Sequence, residues 1–399
     1  MHTKPELSGT DLIHGDGHNP AAGSEVTPSI SVSTSFHSLD PTLGQGLADL
    51  EADLRNPLYH VYSRYTQPVS TRAEKILSRI NHGYAITYAS GLAACYSALI
   101  FFQPKRIAIT GGYHGSHSSI EIYRKSTGSG VELIDLDDEY RPGDLCWLET
   151  PVNPVGESRD IQYYADKVHK VGGKIMVDST FGPPPLQFPF KWGADCVLHS
   201  GSKYFGGHSD LLCGILVVKT AEEWKVLHHN RTYMGNMIGS LEAWLLLRSL
   251  RTLHLRIPRQ SATATALANW LNQIAKTSPG QSYNGVPGGI VNKVWHSSLQ
   301  CRDSRGFEPG KQMEGGWNAT FAILLNKAEL AAKLPSLLHC LVPATSLGGV
   351  ESLIEYRLQS DPGADPRLLR LSVGVEDLED LKSDLRQGIQ KLAQVKTKL

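Results

Sequence analysis

From about Leu58 to Thr220, short apolar runs and segments of helical spacing take turns along the chain. The runs "KRIAIT", "GDLCWLE", "GKIMVDS", "ADCVLHS" and "GILVVK" are brief and β-rich, and predict strands. Between them "TRAEKILSRI", "SGLAACYSALIFF" and "DIQYYADKVHKVG" carry apolar residues at helical intervals. Strands alternating with helices imply a mostly parallel sheet covered on both faces, an α/β architecture. "SLEAWLLLRSLRTLHLRI" predicts one long helix that halts near Pro258. Beyond it, strand-like "NATFAILL" and "RLLRLSVG" and the terminal helix "DLEDLKSDLRQGIQKLAQV" predict a smaller α+β domain. The first ~55 residues are rich in Gly, Pro, Ser and Thr with little periodicity, which predicts an extended arm. Ligands of open parallel sheets sit outside the carboxyl ends of the strands, where Glu149, Asp178 and Ser200 fall.

Composition removes several classes of function. Lys and Arg together number 39, as do Asp and Glu, so no basic surplus marks a nucleic-acid or acidic-membrane partner. No apolar run approaches the ~20 residues that cross a bilayer, and the first residues have no secretory signature. The 6 cysteines show no CxxC spacing, so neither a disulfide framework nor a metal site is expected, and a cytoplasmic location is. The last three residues, Thr397 to Leu399, approach a peroxisomal signal only in Lys-Leu, and a solvated helix end is the preferred reading.

The stretch "VLHSGSKYFGGHSD" sets Lys203 among serines and glycines directly after an apolar run. A lysine there is either a snorkelling surface residue or an amine kept for chemistry. Its company favours chemistry through pyridoxal phosphate. That cofactor needs an acid at its ring nitrogen, a phosphate cup and an aromatic lid. Asp178 ends the strand "GKIMVD" and suits the first need. Ser90, Gly91 and Leu92 precede a helix, whose free N–H groups attract an anion, and Ser200 and Ser202 add hydroxyls. Tyr113 in "GGYHGSH" supplies a stacking ring. Singly these residues read as caps and turns; together, in this order, they are specific.

The same residues resemble the cystathionine γ-synthase-like, or Cys/Met-metabolism, enzymes that use pyridoxal phosphate. The resemblance runs from "IHGDGHNPAAGSEVTPSISVSTSF" through "YSRYTQP", "ASGLAA", "YHGSH", "ETPVNP", "VDSTF" and "HSGSKYFGGHSD" to "SLGGVESL" and "LRLSVGVED". It implies the type I aminotransferase-like fold, with an arm over residues 1–57 reaching the neighbouring subunit, a cofactor-binding domain over 58–256 and a C-terminal domain over 257–399. It makes Lys203 the Schiff-base lysine and proton carrier, with Tyr113 and Tyr62 beside it as candidate catalytic residues. Asp178 pairs the ring nitrogen, Asn153 the ring hydroxyl, and the neighbouring subunit's Tyr62 and Arg64 complete the phosphate cup. Arg370 clamps the substrate α-carboxylate, with Ser346 and Asn153 as further substrate contacts. Thr345 and Arg357, where the chain departs from the family, are candidate substrate contacts, Arg357 reading either as a partner for a carboxylate of the second substrate or as a solvated strand-end residue. Shared sites imply a homo-oligomer, a tetramer built of dimers.

The chain departs from the family where substrates are told apart. Ser118 stands where cystathionine enzymes commonly carry an arginine, and Thr345 where they carry a glutamate. Tyr356 and Arg357 replace the usual His-Pro, Gln67 replaces an asparagine, and His114 and His117 are unusual in their motif. The expected activity is γ-replacement on an O-acyl-L-homoserine, with acetyl the simplest acyl group and a sulfur or carbon nucleophile. Two alternatives stand beside it, a γ- or β-lyase of sulfur amino acids and a catalytically silent homologue.

Overall fold

The computed structural model describes residues 7–17, 25–37, 53–57, 59–128 and 130–396. The Lys203 end of the chain is organised by a seven-stranded sheet, β1 (Tyr84–Tyr88), β2 (Arg106–Ala108), β3 (Glu132–Ile134), β4 (Asp144–Glu149), β5 (Lys174–Asp178), β6 (Cys196–Ser200) and β7 (Gly214–Val218). Their order is β1-β7-β6-β5-β4-β2-β3. The pairs from β6 through β5, β4 and β2 to β3 are parallel, and β7 alone runs against its neighbours β1 and β6. Side chains alternate across the sheet, so adjacent residues feed two cores. Leu145 and Trp147 pack on one face with Ile86, Leu99 and Trp224, while Cys146 and Leu148 pack on the other with Ile76, Val168 and Leu246. Both faces are therefore covered, as the continuous apolar runs required.

The second sheet carries the β10-β11-β14-β13-β12 order. It is preceded by the small hairpin β8 (Ser282–Tyr283) and β9 (Val286–Pro287), and comprises β10 (Val291–Trp295), β11 (Thr320–Leu325), β12 (Val342–Pro343), β13 (Leu353–Tyr356) and β14 (Leu368–Ser372). It is antiparallel except between β12 and β13. The terminal helix Leu378–Lys396 buries Leu381, Leu385, Ile389 and Leu392, its i, i+4, i+8, i+11 stripe, in the larger core.

Two expectations are corrected. Pro258 does not halt the helix. The break lies at Arg251–Thr252, between the helices Ser240–Leu250 and Leu253–Lys276, and Pro258 sits inside the second. As the sixth residue of that helix it forfeits the bond an N–H there would give to the His254 carbonyl, and the helix continues through it. The break is held by Arg256, which donates to the Ser249 carbonyl (3.0 Å) and the Thr252 hydroxyl (3.2 Å). The N-terminal stretch, in turn, is not wholly extended. Ser8 caps a helix over Gly9–His14, Leu12 is fully buried, and Asp16 binds Arg72 (2.6 Å) and Arg251 (3.0 Å). Residues 397–399, which carry the Thr-Lys-Leu end, lie outside the described residues. Among those described, no helix is long and apolar enough to cross a membrane, and no cysteine is in a disulfide.

Candidate active site

Three parallel strands end side by side. Glu149 closes β4, Asp178 closes β5, and the two are register partners, while Ser200 closes β6. The chain then turns through residues 201–206, so Lys203 stands just past the carboxyl end of β6 and not within the strand. Its Nζ donates to Ser346 Oγ at 3.0 Å. Behind it Arg256 donates to the carbonyl of Tyr204 at 2.7 Å, tying the lysine's turn to the helix break. Ser90 caps the helix Gly91–Phe102 by accepting from Ala93 N–H, and an added Cβ on Gly91 would lie 3.1 Å from Ser200 Oγ. A side chain there would crowd Ser200, so the glycine keeps that helix start open.

The second sheet contributes the opposite wall. In β14 alternation sends Leu369 and Leu371 into the main core and sets Arg370 on the other face, with Ala322, Leu324 and Leu368. Arg370 faces Glu355 of β13 across the ladder, and its Nη2 lies 2.5 Å from Glu355 Oε2. It also donates to Asn153 Oδ1 (3.0 Å) and to the Ser346 carbonyl (2.8 Å). Ser346 adopts φ 88°, a left-handed value that costs a non-glycine residue about 1–3 kcal/mol. The cleft between the walls measures about 500 Å³.

Burial governs the charges here. Asp178 is pushed up to about 6 by loss of solvent, opposed by hydrogen bonds from Thr180, whose N–H it accepts at 3.0 Å. Glu149 is pushed up to about 7, first by burial and then by the neighbouring Asp178 carboxylate. Burial, then the adjacent Arg370 guanidinium, draws the Lys203 amine below its ordinary value. Arg370 is drawn down by burial to about 10 and remains charged at neutral pH. Burial raises the Tyr113 phenol, which stays protonated.

Of the residues singled out in the sequence, Lys203, Tyr113, Asp178, Asn153, Ser90, Gly91, Leu92, Ser200, Ser202, Arg370, Ser346, Thr345 and Arg357 all line this one cleft. Tyr62 and Arg64 do not. Arg64 donates to the Thr232 carbonyl (3.3 Å) and lies over the rings of Tyr62 and Tyr65, each 5.2 Å away. Gln67 caps the helix Pro68–Ile80 through Val69 N–H. His117 bonds the Gly111 carbonyl (2.8 Å), a loop role, whereas His114 lines the cleft with its ring 4.8 Å from Tyr113. Ser118 is exposed and outside the lining.

Glu149 was expected at the site only by its place at a strand's carboxyl end, with no role assigned, and Glu355 was not expected there at all. Glu149 accepts from the backbone N–H groups of Tyr113 and Asn153, both at 2.7 Å, and so fixes two loops at once. Gly112 permits this at φ 85°, because a Cβ there would come within 2.4 Å of Glu149 Oε2. The available signal for both was a carboxylate in an otherwise apolar strand, which is expensive to bury unpaired.

The cleft fits pyridoxal phosphate. It offers a half-buried lysine whose amine is bonded only to a hydroxyl, a buried acid with few partners, an aromatic ring and a glycine-opened helix start. A model of the family described as Cys/Met metabolism PLP-dependent enzyme matches residues 9–390. A cystathionine gamma-lyase from Dictyostelium discoideum is 30% identical, over 96% of this chain and 97% of its own length. A cystathionine gamma-synthase/O-acetylhomoserine (thiol)-lyase from Bacillus subtilis is 31% identical over 82% and 85%. The crystal structure of a cystathionine gamma-lyase from Lactobacillus plantarum, complexed with L-serine, superposes with TM-score 0.81 at 27% identity, covering 96% of this chain and 98% of that one. The chain belongs to the Cys/Met metabolism enzymes, a family of fold type I, and its cofactor is pyridoxal phosphate.

Proposed function

We propose that this enzyme catalyses γ-replacement on an O-acyl-L-homoserine, with the acetyl ester as the preferred donor. The observation that carries the reading is that, among the described residues, the cleft mouth offers no unpaired partner to a second charged head. Ser118 is exposed and apart, Thr345 is neutral, and the two charged groups nearby, Glu355 and Arg357, bind one another at 3.1 Å. A neutral acyloxy group suits such a mouth better than the second charged head of cystathionine does.

The bound cofactor supplies an electron sink for charge developing at the substrate's α-carbon. Arg370 seats the α-carboxylate with the planar two-pronged geometry that guanidinium offers. Lys203 Nζ, with its lowered basicity, would take the proton from the α-carbon, pass it on to the conjugated system of the bound cofactor, and, free again as an amine, take one from the β-carbon. Ser346 Oγ, 3.0 Å away, holds the amine in position between those transfers. Breaking the γ C–O bond releases the carboxylate, and the incoming nucleophile forms the new bond to the γ-carbon. Lys203 then returns the protons. Glu149 keeps the stacking ring of Tyr113 and the amide of Asn153 in register throughout.

The site is completed, in this reading, by a second copy of the chain. Among the described residues the phosphate end has hydroxyls and N–H groups but no guanidinium, since Arg357 and Arg370 are both tied to Glu355. The exposed Tyr62 and the half-buried Arg64 lie outside this cleft, where a partner's cup would receive them.

A lyase is the second reading, because the Dictyostelium relative and others like it are named as lyases. The two are separated by comparing O-acetyl-L-homoserine plus a small neutral thiol with L-cystathionine alone. We expect kcat/KM to favour the first by about 100-fold or more, the effect of one uncompensated charge. Faster release of ammonia and a 2-oxo acid from cystathionine would replace this reading with the lyase.

A further inference from the structure

Arg357 occupies the cleft without touching the place where Arg370 would take a carboxylate. Its Nη1 donates to Glu355 Oε2 at 3.1 Å, the same oxygen that lies 2.5 Å from Arg370 Nη2. Ser360 Oγ donates to the other oxygen, Oε1, at 2.5 Å. The side chains of Arg357, Glu355 and Arg370 are each only 5% or 6% exposed. Arg357 Nη2 reaches Asp361 at 3.7 Å, and that carboxylate is 41% exposed and screened by solvent. Lys203, held at Ser346, is committed to the cofactor and stands outside this count.

Two guanidiniums share one buried carboxylate, so the cluster carries one positive charge in excess. A single substrate carboxylate on Arg370 brings it to neutrality. Without Arg357, the Glu355–Arg370 pair would already be neutral, and an arriving carboxylate would be a surplus buried anion beside Glu355. With Arg357 present, a substrate bearing two carboxylates would leave the same surplus. Uncompensated buried charge is strongly disfavoured.

We propose that Arg357 is a positioning residue that acts through Glu355 to keep Arg370 open to one carboxylate, and that this triad restricts the cleft to amino acids without a second anionic group. The proposal rests on the reading that Arg370 seats the substrate carboxylate. It deepens that reading by naming the substrate class as monocarboxylic amino acids with a neutral side-chain substituent.

The test is titration of the holoenzyme's cofactor absorbance with two unreactive amino acids of equal length, L-norleucine and L-2-aminoadipate. Wild type should bind norleucine about 10-fold or more tightly than 2-aminoadipate, the effect of one unpaired charge. Arg357→Gln should weaken norleucine binding by about 10-fold and raise KM, with kcat at saturation within about 3-fold. Adding Glu355→Gln to Arg357→Gln should restore norleucine binding, which loss of a merely structural contact would not do. Glu355→Gln alone should improve 2-aminoadipate binding about 10-fold, by freeing a second guanidinium, and serves if the Arg357 variant does not fold.

Two results overturn the proposal. One is absence of rescue in the double variant, or no gain for 2-aminoadipate in Glu355→Gln. The other is a wild type that prefers 2-aminoadipate and loses only that preference in Arg357→Gln, for then Arg357 itself reads a second carboxylate. Binding precedes the step that separates replacement from elimination. A lyase acting on an amino acid with a neutral side chain would therefore leave these expectations unchanged, whereas efficient turnover of cystathionine, with its second carboxylate, would count against the triad's restriction. Failure of the binding test would leave the choice of reaction open.

Discussion

At the scale of single residues, the chemistry depends on charges that burial has moved. Asp178 and Glu149 ionise only with difficulty in the cofactor-free chain, because solvent is excluded and each repels the other. A carboxyl whose folded pKa is raised contributes stability in full below its ordinary range near 4, and loses it as pH rises. For Asp178 and Glu149 that window runs from about pH 4 through about 6 and 7. Asp178→Asn should therefore stabilise the cofactor-free enzyme relative to wild type, by nothing at pH 4 and on the order of 2 kcal/mol by pH 7. Thermal unfolding across that range checks it, and a gain that is flat with pH would contradict it. On the proposal that Asp178 pairs the cofactor's ring nitrogen, the same variant should bind the cofactor more weakly. Arg370→Ala should keep cofactor absorbance yet lose roughly 10²–10³-fold in kcat/KM, the effect of removing one member of a buried charge pair. Undiminished activity there would misplace the α-carboxylate.

Elements decide which residues meet. The strands around Glu149, Asp178 and Ser200 were legible because a parallel sheet buried on both faces writes itself as unbroken apolar runs with polar ends. Arg370 stood out for a related reason, a charge inside an apolar strand pattern, and the structure pairs it with Glu355 and Asn153. Glu355 has the same signature, but its meaning depends on the β13–β14 register, which no local pattern specifies. Pro258 misled because a proline inside a helix costs one bond without ending it, and this helix is held by buried residues on both sides of it, Ile257, Gln260 and Ala264 among them. The helix Gly9–His14 was hidden among turn-forming residues, and packing rather than propensity sustains it. Leu12, fully buried there, gives the corresponding test. Leu12→Ala should cost about 2–4 kcal/mol in unfolding free energy if that segment packs on its own subunit. A change below about 0.5 kcal/mol, the scale of an inert surface substitution, would show that it does not.

On the scale of the whole molecule, the described residues of one chain's cleft leave no free guanidinium for the phosphate, and Arg64 and Tyr62 lie outside its lining. Leu92, Tyr113 and Leu212 leave apolar surface at its rim, 40%, 39% and 65% exposed. Sharing of sites between copies predicts that inactive Arg64→Ala and inactive Lys203→Ala subunits, unfolded and refolded together, regain part of the wild-type activity. A quarter of the sites in a fully mixed dimer population would then carry both native residues. A mixture as inactive as its components would exclude the shared site. The central claim concerns the reaction itself. Its most direct test is to incubate the yellow holoenzyme with O-acetyl-L-homoserine in deuterated water without a nucleophile, and to follow the products by NMR. The account predicts deuterium at the α- and β-carbons, release of acetate, and little 2-oxobutyrate until a thiol or carbon nucleophile is supplied. Rapid 2-oxobutyrate and ammonia, or no exchange and no acetate, would contradict it.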